Sequence, residues 1–313
     1  MKTLNLVYKE KSDISYEVQR FPDGQQNIVI TKEQNLEPYG ILDALLPWMI
    51  KEGVEIKSRL NDWGDLELIV CAVSSLRELG VEEIYLYVPY ILGARSDRKF
   101  EEGGNNYLRD VICPVINSLN FKTVTCIDPH SDVLEACIKG FKKKSNIDLI
   151  KTSFIHQNNW NGIKGIINND NCILVSPDAG ASKKIYKLAE QMGYKGDVIT
   201  CSKDRDVDGK LTRTVVPELP INKDVVIVDD ICDGGATFIN IAKEVKNQYK
   251  NVDKHCQGKI YLIVTHGIFS KGFKELSKYF DGVYCTNSYQ DIGDYVSIYG
   301  ELEKTNVKQL NVF

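Results

Sequence analysis

The stretch Val225–Thr237, VVIVDDICDGGAT, delivers two adjacent carboxylates and a glycine-bearing turn at the end of an apolar run. Val225, Val226, Ile227 and Val228 have the pattern of a parallel strand covered on both faces. Asp229 and Asp230 then fall at its carboxyl end, where open α/β sheets hold ligands. Carboxylates there accept hydrogen bonds from vicinal hydroxyls, while Gly234 and Gly235 let successive backbone N–H groups curl toward one anion. A helix opening near Ala236 adds its positive N-terminal dipole. The chemistry written here is the grip on a phosphorylated sugar.

Four other segments carry polar groups just beyond apolar runs. IDPHSD places Asp128 and His130 after the run Thr123–Cys126. SPDAGASKK follows Cys172–Val175, and its small residues let a phosphate approach backbone N–H groups. Asp178 in that segment offers hard oxygen to a cation, and His130 and Asp178 could share one divalent ion if their sheets converge. Arg95, Arg98 and Lys99 follow Ile84–Val88, where guanidinium forks suit polyphosphate oxygens. The segment Cys201–Thr214 is polar and charged, reading as a mobile flap that brings Lys203 and Arg205 over a transferring group.

Something must hold these segments in place. β-branched runs recur at Leu4–Tyr8, Asn27–Thr31, Ile84–Val88, Thr123–Ile127, Cys172–Ser176, Asp197–Cys201, Val225–Asp229, Lys259–Thr265 and Gly282–Thr286. Amphipathic helices are predicted over Asp65–Leu79, Ser182–Met192 and Phe238–Tyr249, with Asp65 and Gly80 as start and stop of the first. The alternation predicts an α/β chain with mainly parallel sheets flanked by helices. The cluster Lys139–Lys144 (KGFKKK) reads as a solvated loop or helix end, and Lys139–Asn146, basic, polar and the least structured region, as the join of two halves, 1–145 and 146–313.

The chain has 313 residues, 43% of them apolar, enough for two cores. A net charge of -4 argues against an electrostatically driven nucleic-acid binder. No run reaches the ~20 apolar residues that span a bilayer, and no signal-like segment follows Met1. Nine scattered cysteines without a C-x-x-C pair read as reduced thiols, and the expected compartment is the cytoplasm. Cys232 lies inside the proposed phosphate loop, with no partner base evident, and reads as a packing residue.

Taken in order along the chain, these motifs resemble those of ribose-phosphate pyrophosphokinases over nearly the whole length. Phe21–Asp23–Gly24 resembles an adenine-contacting segment, and Ala94–Lys99 (ARSDRK) an ATP loop that includes Ser96 and Asp97. Asp128–Pro129–His130 resembles a metal-histidine segment, and Ser176–Gly180 a pyrophosphate loop of Asp178, Ala179, Gly180 and Ala181. Lys203–Asp204–Arg205 is similar to a catalytic flexible loop. Asp229, Asp230, Asp233, Gly234, Gly235, Ala236 and Thr237 are similar to a ribose-5-phosphate loop, and Thr265–Phe269 repeats a further family segment.

The resemblance implies two phosphoribosyltransferase-like domains and Mg²⁺-dependent transfer of the β,γ-diphosphoryl group of ATP to a ribose 1-hydroxyl, releasing AMP. It implies that Phe21, Asp23, Gln25, Arg95, Ser96, Asp97 and His130 serve ATP, and that His130 and Asp178 hold the metal directly or through water. Lys203 and Arg205 would stabilise transition-state charge, and Asp229 and Asp230 would bind the ribose hydroxyls. It further implies a homo-oligomer in which the Phe21 hairpin is lent to a neighbour's ATP. Phosphoryl transfer needs alignment and charge neutralisation more than a protein nucleophile, which agrees with the residue types present.

Departures from the family pattern carry their own expectations. Gln25 stands where many members have Glu, which leaves the nucleotide preference open. Glu101–Asn106 (EEGGNN) replaces a basic stretch that binds regulatory anions in phosphate-activated members, so phosphate activation is expected to be weak or absent. Gly234 stands at a usual Thr and Ala236 at a usual Gly, which removes one hydroxyl and opens space. A 5-phosphate bearing a further group, as in ADP-ribose, is therefore an alternative acceptor. Two other readings are a non-catalytic associate of synthetases and a base-transferring phosphoribosyltransferase; the presence of Lys203, Arg205, His130 and Asp178 argues against the first, and the ATP-like loop of the first half against the second.

Overall fold

The computed structural model describes residues 1–30, 41–152, 166–167, 171–205, 211–253, 256–293 and 306–313. They form two compact units, Met1–Lys144 with Phe313, and Ser145–Val312.

The first unit is built on a parallel sheet of β1 (Lys2–Asn5), β4 (Val54–Lys57), β5 (Ile84–Tyr87), β6 (Thr123–Ile127) and β7 (Phe141–Lys144), in that order. The helix Trp63–Glu78 buries Leu66, Ile69, Ala72, Val73 and Leu76 in the core of this unit. Its spacing of i, i+3, i+4 presents one apolar stripe. Asp62, not Asp65, caps it: the Asp62 carboxylate accepts from Asp65 N at 2.9 Å, and Asp65 sits in the first turn.

Antiparallel strands β2 (Tyr16–Arg20) and β3 (Gln26–Ile30) form a separate hairpin. The run at Asn27–Ile30 thus belongs to a two-stranded ribbon rather than a parallel sheet, because only alternate residues such as Ile28 are buried. Thr31 lies outside the described residues. The hairpin is held to the helix Trp63–Glu78 by Ser75 Oγ donating to Ile28 O at 3.1 Å and Gln26 Nε2 donating to Gly64 O at 3.0 Å.

Lys139–Asn146 is not a loop throughout. Phe141–Lys144 pairs with β6 as the last strand of the sheet. Three exposed lysines are tolerated there because charge on an edge strand blocks further pairing, while Phe141 packs on the core.

The second unit holds a parallel sheet ordered β15 (Val307–Leu310), β14 (Gly282–Thr286), β13 (Ile260–Gly267), β12 (Asp224–Cys232), β8 (Cys172–Ser176) and β9 (Val198–Thr200). Val225 and Ile227 of β12 enter one core and Val226 and Val228 another, as strand alternation requires of a sheet covered on both faces. Each such side chain contributes about 1.5 to 3 kcal/mol on burial. β12 runs past its apolar segment to Cys232, because Ile231 and Cys232 still pair with His266 and Gly267 of β13. On its other side β12 is paired to β8 only through Ile227. Asp229 and Asp230 therefore extend beyond the last β8 pairing while still backed by β13. A second hairpin joins β10 (Ser202–Arg205) antiparallel to β11 (Leu211–Val215).

Candidate active site

In the second unit, β8 ends at the fully buried Ser176 and leads through Pro177 to Asp178, which caps the helix Ala179–Met192. Asp178 Oδ1 accepts from Gly180 N at 3.0 Å and Ala181 N at 3.2 Å. A capping aspartate stabilises a helix start by about 1 kcal/mol. The same interaction engages two N–H groups of the expected pyrophosphate loop with the protein's own carboxylate, and aims Asp178 inward over that loop. Ser182 Oγ lies 3.1 Å from Thr200 Oγ1 and 3.3 Å from Asp178 O, adding hydroxyls to the loop.

Across the gap left where β8 ends, Asp229 and Asp230 continue β12. Asp230 is 5% exposed and accepts from Lys184 Nζ at 2.9 Å. Lys184 lies a turn and a half into the helix capped by Asp178, so one helix presents a capped loop and an ammonium to the same carboxylate pair. Asp229 Oδ1 accepts from Asp230 N at 2.9 Å. Burial, then the Asp230 carboxylate and more distantly Asp178, push the Asp229 carboxyl well above the ordinary carboxylate range. Asp178, Asp229 and Asp230 thus share one electrostatic environment.

Beyond β12, the turn Asp233–Gly235 leads into the helix Ala236–Gln248, whose start no side chain caps. Gly235 has φ +76, and a Cβ there would stand 3.1 Å from Leu276 Cδ2, so both conformation and packing call for glycine. Asp233 accepts from Ser270 Oγ at 2.5 Å, and Ile268 N and Phe269 N donate to Cys232 O at 2.9 and 3.1 Å. Cys232 is fully buried, and burial pushes its thiol up, which leaves a packing residue and no nucleophile. Gly234 does not leave open space: a Cβ on it would meet the Lys271 side chain at 3.2 to 3.4 Å. The Lys271 stem lies where a side chain at this position would begin.

Lys203 and Arg205 occupy β10, with Lys203 opposite Thr214 and a register shift between Asp204 and Arg205. The expected flap is thus a two-stranded hairpin at its base; its tip, 206–210, and the side chains of Lys203 and Arg205 lie outside the described ones.

In the first unit, Arg95 and His130 follow the adjacent strands β5 and β6 at their carboxyl ends, and both are exposed. Asp128, two residues before His130, is 3% exposed and holds φ +40, a conformation costly for a non-glycine residue. The loop that carries Ser96 and Asp97 is fixed by Leu108 N donating to Ser96 O at 3.0 Å and Asn106 Nδ2 to Asp97 O at 2.5 Å. Phe21, Asp23 and Gln25 form the exposed tip of the β2–β3 hairpin, closed by Phe21 N donating to Gln25 O at 2.9 Å.

Sequence reasoning did not single out Lys184 or Lys271 as site residues. Lys184 has a signal in hindsight: a cation six residues after the capping Asp178 on the helix face that meets the sheet. Lys271 has none, because nothing local relates it to Gly234, 37 positions away.

The sheet order and loop placement define a phosphoribosyltransferase-type α/β protein, and residues 152–267 match the family of the phosphoribosyl transferase domain. The ribose-phosphate pyrophosphokinase of Sulfurisphaera tokodaii is 24% identical over 250 residues, covering 80% of this chain and 75% of that one. That of Mycoplasmopsis pulmonis is 30% identical over 218 residues, 69% of this chain and 62% of that one. That of Pyrococcus furiosus is 25% identical over 308 residues and spans 96% of both. A phosphoribosylpyrophosphate synthetase from Mycobacterium smegmatis shares the fold, with a TM-score of 0.67 at 16% identity over 96% of this chain and 86% of that one. The chain thus carries a phosphoribosyl transferase domain and is similar over most of its length to ribose-phosphate pyrophosphokinases.

Proposed function

We propose that the chain transfers the β,γ-diphosphoryl group of ATP to the 1-hydroxyl of ribose 5-phosphate, giving 5-phosphoribosyl 1-pyrophosphate and AMP. The observation that carries this reading is the Asp229–Asp230 pair, set beyond the last β8 pairing between the capped loop at Asp178 and the uncapped glycine turn before Ala236. Hydroxyl acceptors and anion donors then lie on one sheet edge, as a sugar carrying a phosphate at each end requires.

In this reading Asp229 and Asp230 accept from the ribose 2- and 3-hydroxyls, and Lys184 holds Asp230 in place. The backbone of Asp233–Thr237 binds the 5-phosphate, and Asp178–Ala181 borders the diphosphoryl group. The ribose 1-oxygen attacks the β-phosphorus, and the bond from that phosphorus to the oxygen bridging α and β breaks, leaving with AMP. The proton of the 1-hydroxyl passes to solvent. Lys203 and Arg205 neutralise the charge that spreads over the transferring oxygens. Phe21, Asp23, Gln25, Arg95, Ser96, Asp97 and His130 receive ATP, with the exposed hairpin tip lent to another copy in a homo-oligomer.

Among the described residues no three metal-ligating side chains cluster. Mg²⁺ keeps several waters and takes few protein ligands alongside phosphate. Burial raises Asp229 most, and a hard cation beside these carboxylates would relieve the part that Asp230 and Asp178 add by repulsion. Asp178 is the residue of the second unit that we assign to it, and when bound it would supply charge neutralisation to the phosphate oxygens.

We favour ribose 5-phosphate over ADP-ribose as acceptor because the Lys271 stem fills the space beside Gly234. The nine free thiols agree with the reducing, cytoplasmic setting we propose. Mass spectrometry after incubation with ATP, Mg²⁺ and each acceptor tests the proposal. AMP and 5-phosphoribosyl 1-pyrophosphate should appear in equal amounts with ribose 5-phosphate. Their absence, with or without an added nucleobase, would remove it.

A further inference from the structure

Lys271 lies where a side chain at position 234 would project. A Cβ built on Gly234 would stand 3.2 Å from Lys271 Cδ and 3.4 Å from its Cγ and Cε. The ammonium is one bond beyond Cε. Lys271 is exposed and makes no ion pair or hydrogen bond with any described residue. Its neighbour in the chain is tied down: Ser270 Oγ donates to Asp233, and Gly272 N donates to Phe269 O at 2.8 Å. Phe269, 1% exposed, stacks edge-on against Phe273 with ring centroids 4.8 Å apart. The turn that carries Lys271 is therefore anchored in the core, and the stem of its exposed lysine passes beside Gly234.

We infer that Lys271 is the cation of the acceptor-phosphate site and selects a terminal phosphomonoester dianion. This rests on the reading of Asp233–Thr237 as the 5-phosphate loop. That loop supplies backbone N–H donors, but its one ionisable side chain is the carboxylate of Asp233. A dianion entering such a site meets net negative charge. An ammonium from the turn after β13 offsets it, and a glycine at 234 is what allows the lysine stem to cross the loop. Charge thus takes the place of a hydroxyl at this position, and the aliphatic stem closes the space that a substituent on the phosphate would need.

The test compares wild type with Lys271→Met, which keeps the stem's bulk and removes its charge, and with Lys271→Arg. KM for ribose 5-phosphate is expected to rise about tenfold or more in Lys271→Met, as loss of a charge-assisted contact implies. That rise should exceed the fall in kcat, and KM for ATP should move less than twofold. Lys271→Arg should restore most of the loss. Gly234→Val, which displaces the stem while leaving the lysine in the chain, should reproduce the KM effect. Calorimetric titration with ribose 5-phosphate should show the same ranking, with neutral ribose bound equally by all variants. Unchanged KM and calorimetric affinity in Lys271→Met, while wild type turns over ribose 5-phosphate, would overturn the role of Lys271 and leave the proposed reaction standing. Absence of turnover in wild type would instead overturn the reaction, and the titration would still decide whether Lys271 holds the phosphoester.

Discussion

Lys184 Nζ stands 2.9 Å from Asp230 Oδ2, and this contact links the helix capped by Asp178 to the strand that carries the carboxylate pair. Two loops far apart in the chain are thereby set at a fixed spacing. Breaking the pair should leave a carboxylate with 7% side-chain exposure without its ammonium.

Lys184→Met is therefore expected to lower stability by roughly 2 kcal/mol, less than the about 3 to 5 kcal/mol of a fully buried pair, because the Lys184 side chain keeps 29% of its surface in water. Urea unfolding measures the loss, and KM for ribose 5-phosphate should rise with it. A change below about 0.5 kcal/mol, the level of an ordinary surface substitution, would mean that the contact does not organise the site.

Asp229 gives a pH-dependent signature. Its folded-state carboxyl is raised by burial and by the carboxylates of Asp230 and Asp178. Between the ordinary aspartate value near about 4 and that raised value, the folded state binds the proton more than the unfolded state does. Stability contributed by this group is full at low pH and falls as pH rises through that window. Asp229→Asn should accordingly be more stable than wild type at pH 7 to about 8, with the difference vanishing toward about 4, while turnover drops. Unfolding curves across pH that run parallel for the two proteins would contradict the shift.

Asp178 has two separable duties. Asp178→Ser keeps an N-cap and should preserve stability within about 0.5 kcal/mol, whereas Asp178→Ala should lose about 1 kcal/mol. Both should lose activity alike and require more Mg²⁺, since neither retains a carboxylate. Full activity in Asp178→Ser would confine this residue to capping.

For the flap, Lys203→Ala should cut kcat by about 10²-fold or more, with much less effect on ATP binding, because the contact forms chiefly in the transition state. Stopped-flow nucleotide binding alongside turnover separates the two. Parallel losses would assign Lys203 to ground-state binding.

Glu101 and Glu102 are exposed beside the loop that carries Ser96 and Asp97. Their charge should repel regulatory anions, so inorganic phosphate is expected to change activity less than twofold. Strong activation in a phosphate titration would show a basic site elsewhere.

Much of this protein is written locally. Apolar, β-branched runs at Thr123–Ile127, Cys172–Ser176 and Gly282–Thr286 became strands with those bounds, and in the latter two side chains buried on both faces leave little choice of conformation. Asp178 and the glycine turn before Ala236 were legible as loops that open helices, since capping and positive φ are properties of a few consecutive residues. What local pattern could not show was the pairing that makes Phe141–Lys144 an edge strand, or the hairpin that claims Gln26–Ile30: strand order depends on which neighbour supplies the hydrogen bonds. The same limit applies to Lys184 against Asp230 and Lys271 against Gly234, contacts 46 and 37 positions apart. Those neighbours are set by packing of helices and turns on a common sheet, and only the assembled chain decides where a flexible cation comes to rest.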